Sequence, residues 1–170
     1  MQEKDYELVA ELTHSQIKEF VLGQLTSDNL IIRSFMIYQF VMILIGIFFL
    51  TRSIVLVFRG FSEPFFFTIA GVIFTLSFLI VIHELLHGLA LKVTGAPKVT
   101  YGGYLKKFVF YAEADRHVLN REQFKLVALL PLVVVKILTL GGILFFWTSP
   151  AVYFFILLMS AHSLFCAGDI

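Results

Sequence analysis

The stretch LIVIHELLHGLALK, residues 79–92, decides how the fold of this chain is interpreted. Its apolar residues continue back to about Pro64, so the whole run exceeds the ~20 residues that a helix needs to cross ~30 Å of hydrocarbon. Two histidines and a glutamate lie inside this run. Titratable side chains are costly in a membrane-spanning helix and mark a functional site by default. The stretch therefore predicts a transmembrane helix that carries a functional site.

Three more apolar segments of similar length indicate that most of the chain is embedded in a membrane. Of its 170 residues, 59% are hydrophobic and 15% are charged, whereas a soluble domain is about half apolar and about a quarter charged. Lipid cannot satisfy free backbone groups, so the segments are expected to be helical. We predict an all-α transmembrane bundle of four helices, at about residues 34–58, 64–91, 124–147 and 150–167.

The residues before the first span form a separate segment. Apolar residues recur at roughly helical spacing between charged residues from Leu8 to Leu25, which predicts an amphipathic helix at the membrane surface or against the bundle. We therefore divide the chain into a cytoplasmic N-terminal segment, residues 1–33, and a transmembrane domain, residues 34–170. The resemblance described below implies that the core of that domain is residues 64–170.

The connection between the second and third spans is long and polar. Val99–Tyr101 and Tyr104–Ala112 are rich in β-branched and aromatic residues around Gly102-Gly103, which predicts a short β-hairpin or a pair of short strands. Asn120 is followed three residues later by Gln123, which is the spacing of a capping box. The third span is therefore predicted to begin at this pair.

The distribution of basic residues predicts the orientation of the bundle. Cytoplasmic loops carry an excess of Lys and Arg, and only Arg52 and Arg59 lie towards the opposite face. The hairpin and both termini are therefore predicted to face the cytoplasm. The basic residues of the long connection and its flanks are Lys92, Lys98, Lys106, Lys107, Arg116, Arg121 and Lys125.

The pair His83 and His87 has the spacing of a metal site. On a helix, residues four apart lie on one face, one turn from each other, where both imidazoles can bind one ion. Glu84 lies beside them, rotated about 100° from His83. In zinc hydrolases with this pattern the carboxylate polarises the metal-bound water and shuttles its proton. The alternative is a polar cluster that hydrogen-bonds to a neighbouring helix.

A catalytic zinc ion usually has three protein ligands and an open position, so a third ligand is required. The second and fourth spans are predicted to enter the membrane from the same side, each after a turn that contains a proline. His83 lies 19 residues after Pro64, and Asp169 lies 19 residues after Pro150. Both therefore reach a similar depth, about 28 Å along their helices. We predict Asp169 as the third ligand.

Three further residues on the third and fourth spans bear on this site. His162 and Cys166 share a helix face with Asp169 and are alternative ligands. However, His162 lies about 10 Å deeper along the helix, which favours a supporting or core role for both residues. Lys136 lies mid-span near the depth of the histidines, where an ammonium group seeks a carboxylate or a cavity. We expect it to snorkel or to form a structural pair, and the alternative is that it pairs with Glu84 or Asp169 or stabilises an oxyanion.

The sequence resembles the intramembrane site-2 zinc metalloproteases, and more closely a family of bacterial membrane proteins called putative zincin peptidases. HELLHG on one span, the intervening hairpin and Gly168-Asp169 two spans later carry the resemblance, which covers about residues 64–170. It implies a Zn²⁺ ion held by His83, His87 and Asp169, with Glu84 as the general base. The chain departs from the site-2 proteases in the order of its Gly-Asp pair. It also lacks the Asn that follows a Gly-Pro pair on their intervening span.

The hairpin is predicted to hold a substrate. An exposed strand edge can bind an extended peptide as an added strand, and a protease needs an extended substrate because a helix shields its own amides. We expect Tyr101, Gly102, Gly103 and Tyr104 to take part in this binding. The alternative is simple packing of the aromatic side chains at the membrane surface.

These observations favour a zinc-dependent membrane protease that hydrolyses peptide bonds near the cytoplasmic face. A zinc-activated water would be the nucleophile and Glu84 the general base. The expected partners are membrane lipids and a membrane-associated polypeptide, and the net charge of +1 excludes an electrostatic nucleic-acid binder. The resemblance implies a bacterial plasma membrane. Two other functions stay open: a scaffold or adaptor with a structural or vestigial zinc site, and a metal or ion transporter.

Overall fold

The computed structural model describes residues 30–104 and 109–169. The chain divides into two compact units, residues 1–36 and 37–170. The first helix begins in the first unit, and all other described elements belong to the second. The amphipathic helix predicted between Leu8 and Leu25 lies outside the described residues.

Four apolar helical segments and one small sheet make up the described residues, which confirms the mainly helical class. The second segment is continuous and contains α2, a π-helical turn and α3, and the last segment ends in a 3₁₀ turn. The helices are α1 (Leu30–Phe58), α2 (Glu63–Phe74), α3 (Ile80–Val93), α4 (Arg121–Phe145) and α5 (Val152–Phe165).

Three of these segments are long and apolar enough to cross a membrane: Ile32–Phe58, Glu63–Val93 and Arg121–Phe145. The fourth apolar segment, Val152–Gly168, is shorter. Large apolar side chains stay exposed on the helices, and Ile137 is an example with 64% of its surface accessible. Such a surface is compatible with a membrane protein, because contiguous exposed apolar patches are rare on soluble monomers. The number of spans and their orientation stay predictions.

Helix α5 has the most buried face of the bundle. It packs against α2 and α4, and small residues allow its neighbours to approach closely. A Cβ atom on Gly71 of α2 would lie 3.1 Å from the backbone oxygen of Phe154, and one on Gly46 of α1 would lie 3.1 Å from the Ser160 Cβ atom. Small residues serve this purpose in membrane helix pairs. The packing therefore fixes the position of the residues that follow α5.

The predicted hairpin is present, but the glycines do not separate its strands. Strand β1 (Thr100–Tyr104) pairs antiparallel with β2 (Val109–Glu113), and Gly102 lies opposite Tyr111. The Tyr111 ring occupies the place that a Cβ atom of Gly102 would take. The glycine is therefore needed inside the strand for close packing, and the strands are joined by residues 105–108.

The start of α4 agrees with the sequence. The Gln123 backbone N–H donates to Asn120 Oδ1 at 2.9 Å, and the Asn120 backbone N–H donates to Gln123 Oε1 at 3.0 Å. This reciprocal capping box satisfies two amides of the first turn. The Gln123 side chain also donates to the Thr94 carbonyl at 3.3 Å, which ties the start of α4 to the end of α3.

Candidate metal centre

Helix α3 places His83 and His87 on one face, one turn apart. Their Nε2 atoms are 3.0 Å from each other. The π-helical turn Thr75–Leu79 directly precedes α3, and such wide turns occur often at functional sites. Leu79 in this turn is 2% exposed and packs with Val135 and Leu158. The turn is therefore anchored in the core just before the histidines.

Asp169 reaches the same point from the end of α5. Its Oδ2 atom lies 3.1 Å from His83 Nε2, and its Oδ1 atom lies 3.3 Å from His87 Nε2. The three side chains form one of the two groups of potential metal ligands among the described residues. The structure thus brings together the three residues that the sequence predicts as ligands.

The dimensions of this group fit a zinc ion. Zinc binds imidazole nitrogen and carboxylate oxygen at about 2.0–2.2 Å in tetrahedral sites, so neighbouring ligand atoms lie about 3.4 Å apart. The three separations among His83, His87 and Asp169 are 3.0, 3.1 and 3.3 Å. Asp169 Oδ2 is also buried without a hydrogen-bond donor. A buried acceptor without a donor is costly, and a bound cation would satisfy it.

The outer nitrogen of His87 has an acceptor of its own. His87 Nδ1 lies 2.9 Å from the Val127 carbonyl oxygen in α4. A carbonyl can only accept, so Nδ1 carries the proton, and in the neutral ring Nε2 presents its lone pair towards Asp169. Such contacts orient metal-ligating histidines. The acceptor is a backbone atom, so no side-chain pattern in the sequence could have revealed it.

The carboxylate of Asp169 is ionised at neutral pH. Burial by itself would raise the pKa of Asp169, but the hydrogen bonds and charges that His83 and His87 offer in their protonated form outweigh it and lower the pKa to about 2. A metal ligand must be deprotonated.

Glu84 is half-buried next to the two histidines. Its carboxylate interacts with the imidazoles, with Asp169 and with the backbone N–H of Ala112 in β2. The strand β2 therefore lies close to the predicted general base and packs against its helix. This contact was not foreseen from the sequence, since it again depends on a backbone group.

The hairpin residues predicted to bind substrate lie on β1. The Tyr101 ring packs over Gly88 at the place where a Cβ atom would lie, and 49% of the Tyr101 surface remains exposed. Gly102 and Gly103 pair with β2, whereas the side chain of Tyr104 lies outside the description. Of the two strands, β2 makes the wider contact with α3.

Lys136 does not pair with Glu84 or Asp169. Its ammonium group donates to the Met159 carbonyl at 2.6 Å and to Ser163 Oγ at 2.7 Å. It also lies 5.3 Å from the centre of the Tyr38 ring. No ion pair of Lys136 occurs within residues 30–104 and 109–169. The structure shows contacts of the structural kind rather than the alternative pairing with Glu84 or Asp169, because α5 offers nearer acceptors.

His162 and Cys166 are both fully buried. His162 Nε2 lies 3.1 Å from His83 Nδ1, on the side of that ring away from Asp169. The Cys166 Sγ atom lies 3.7 Å from His162 Nδ1. Together with His83 they form the second group of potential metal ligands.

The sequence profile of the putative zincin peptidase family matches residues 76–170, which is more than half of the chain. The chain belongs to this family. The matched range contains His83, Glu84, His87 and Asp169. The family description indicates a metallopeptidase and implies zinc as its metal. Comparisons with curated proteins and with solved structures give no match.

Proposed function

We propose that this zincin-family protein is an intramembrane protease related to the site-2 metalloproteases. In this proposal it cleaves membrane-associated polypeptides near the cytoplasmic face of a bacterial plasma membrane. The observation that supports it best is the convergence of His83, His87 and Asp169 at separations that suit zinc. It occurs at the end of a helix long and apolar enough to span a membrane.

Zinc bound by these three residues would act as a Lewis acid and lower the pKa of a coordinated water to about 7. The remaining steps depend on the side chains. Glu84 accepts the proton of the attacking water on its carboxylate and then delivers it to the leaving amide nitrogen. The Val127 carbonyl orients the His87 ring, and the packing of α5 positions Asp169. Together they keep the ligand atoms close to one another.

The hairpin would present the scissile bond to Glu84. In an antiparallel pair, alternate residues direct their backbone groups away from the partner strand. The Ala112 N–H faces Glu84, so the outward backbone groups of β2 lie beside the general base. An extended substrate segment bound along β2 would bring its carbonyl groups to this point. Residues Tyr101 to Tyr104 of β1, which are predicted to take part in substrate binding, would then support β2 from its other side.

The metal content of purified protein tests the ligand assignment. Zinc per chain is measured by elemental mass spectrometry in the wild type, His83→Ala and Asp169→Ala. The matched controls are His117→Ala, since His117 contacts Thr94 rather than the site, and Asp115→Ala, since Asp115 is exposed. We expect about one zinc in the wild type and in both controls, because catalytic sites hold one ion with three ligands. Zinc retained in Asp169→Ala would show that the third ligand is misassigned.

Cleavage assays test the chemistry separately. Glu84→Gln keeps the size of the side chain but removes its basicity, so we expect it to bind zinc normally and to lose cleavage of a membrane-anchored substrate library. A Glu84→Gln variant that cleaves as well as the wild type would exclude Glu84 as the base.

A second candidate function is a non-enzymatic membrane scaffold with a structural zinc. The buried group His83, His162 and Cys166 favours it, because structural sites are coordinatively closed and often contain cysteine. The two candidates differ in whether the cysteine binds the ion. Cobalt substituted for zinc would show a thiolate charge-transfer band only in the scaffold arrangement.

A further inference from the structure

His162 is the most enclosed polar side chain near the metal centre. Its relative exposure is 0%, and that of His83 is 4%. The two rings meet edge to face with centroids 5.2 Å apart. Water does not reach a histidine buried in this way, so the proton arrangement of the pair is determined by the protein.

The proton positions follow from the role of His83. If His83 Nε2 is to offer a lone pair to an ion beside Asp169, then its Nδ1 must carry the proton. His162 Nε2, 3.1 Å away, must then accept this proton in a hydrogen bond. The proton of the neutral His162 ring therefore resides on Nδ1, for which the nearest acceptor is Cys166 Sγ at 3.7 Å. The hydrogen bonds run in one direction, from His83 through His162 to Cys166.

We propose that His162 is a positioning residue for the metal centre, which accepts the Nδ1 proton of His83 and thereby fixes its tautomer and ring orientation. His162 does for His83 what the Val127 carbonyl does for His87. The inference rests on the proposed zinc site. It also means that α5 and the turn after it supply both Asp169 and, seven residues earlier, the acceptor that orients His83.

The alternative arrangement places the ion on the other side of the same ring. His83 Nδ1, His162 and Cys166 would then be the ligands. A neutral imidazole has one lone pair for a metal, so His83 cannot serve both groups at once. The two arrangements make opposite predictions for substitutions of Asp169 and Cys166.

The test is the zinc dissociation constant of the full chain in detergent, measured by competition with a chromophoric chelator. His162→Leu removes the acceptor, and we expect affinity to fall about 10- to 100-fold, as is typical for outer contacts of metal ligands. His162→Gln offers a side-chain oxygen in place of Nε2 and should recover most of the affinity. A role in packing alone would not separate these two variants in this order. His162→Phe, which keeps a ring without an acceptor, replaces the Leu variant if that variant does not fold.

Substituting cobalt for zinc gives a second readout. We expect the wild type and His162→Gln to share one visible spectrum without a thiolate charge-transfer band, and Cys166→Ala to bind zinc as the wild type does. Melting in metal-free buffer checks that each variant is folded.

The possible outcomes separate the two proposals. Equal zinc affinity in the wild type and His162→Leu would overturn the positioning role and leave the zinc site intact. Affinity lost equally in His162→Leu and His162→Gln would also overturn it, because the acceptor would then not matter. Zinc retained in Asp169→Ala but lost in Cys166→Ala would overturn both the positioning role and the predicted ligand set. A wild type that binds no zinc would overturn both as well.

Discussion

Two polar clusters share the C-terminal part of α5 and the turn after it, and they are built differently. In the first, the Lys136 ammonium is matched by the Met159 carbonyl, by Ser163 Oγ and by the face of the Tyr38 ring. In the second, the inner nitrogens of two histidines and the oxygens of Asp169 converge within hydrogen-bonding distance of one another. In the first cluster the Lys136 ammonium is surrounded by acceptors. The second cluster, His83, His87 and Asp169, consists of groups that can all act as acceptors.

This difference separates a structural cluster from a candidate ligand set. A charge buried in an apolar bundle is tolerated when it is paired and hydrogen-bonded, and the Lys136 ammonium meets that condition within the protein. In the second cluster His87 Nδ1 already faces the Val127 carbonyl, and a bound cation would satisfy the atoms that converge with Asp169. Depth along the helices alone would have assigned Lys136 to the cluster of His83, His87 and Asp169, to which it does not belong.

Removal of the metal should have the largest effect. A ligand that binds only the folded state stabilises it by about 4 kcal/mol when its concentration is 1,000 times its dissociation constant. Adding a chelator should therefore lower the melting temperature of the wild type and leave that of Asp169→Ala unchanged. Identical wild-type melting curves with and without chelator would contradict a role of zinc in this cluster.

Acid should empty the site in a defined window. Zinc competes with protons for its histidine ligands, so loading should fall as the pH drops below neutrality. The lowered pKa of Asp169, about 2, means that this carboxylate stays charged in the window and becomes protonated only in much stronger acid. Zinc content is measured after equilibration at successive pH values. Loading that persists to about pH 4 and then falls would point to carboxylate ligands alone.

The packing around α5 can be changed without touching either cluster. The Phe155 ring occupies the place of a Cβ atom on Gly142, whereas a Cβ atom on Gly141 would meet nothing within 4 Å. Overpacking costs about 1–3 kcal/mol, so Gly142→Ala should unfold at lower temperature with normal zinc content. Gly141→Ala is the matched control and should be neutral or stabilising, because alanine favours the helix by about 1 kcal/mol. Equal melting temperatures for the two variants would contradict the close approach of α4 and α5.

Substitution of Lys136 should have the smallest effect. Lys136→Met removes two hydrogen bonds but also a buried charge, so we expect a net loss of stability of about 1 kcal/mol and unchanged zinc content. Lys125→Met is the control, since Lys125 forms an exposed ion pair with Glu122, and exposed pairs contribute little to stability. A fall in zinc content in Lys136→Met would return Lys136 to the metal centre.

The sequence alone determined the parts of this protein that follow from local periodicity. Long apolar runs predict helices because the backbone bonds must be satisfied within each segment. A spacing of four residues puts His83 and His87 on one face. Equal distances from the prolines of two turns bring Asp169 to the same level. The capping box at Asn120 is also a local pattern, formed by side chains and amides three residues apart.

Only the tertiary structure decided how the helices are rotated and which backbone atoms meet the site. Helix rotation depends on the packing of small residues such as Gly71 against α5, and it directs Lys136 to Ser163 rather than to Asp169. The Val127 carbonyl and the Ala112 N–H approach the site as backbone groups. Such contacts cannot be recognised from residue identity, because they depend on where a backbone group lies in the fold and not on side-chain chemistry.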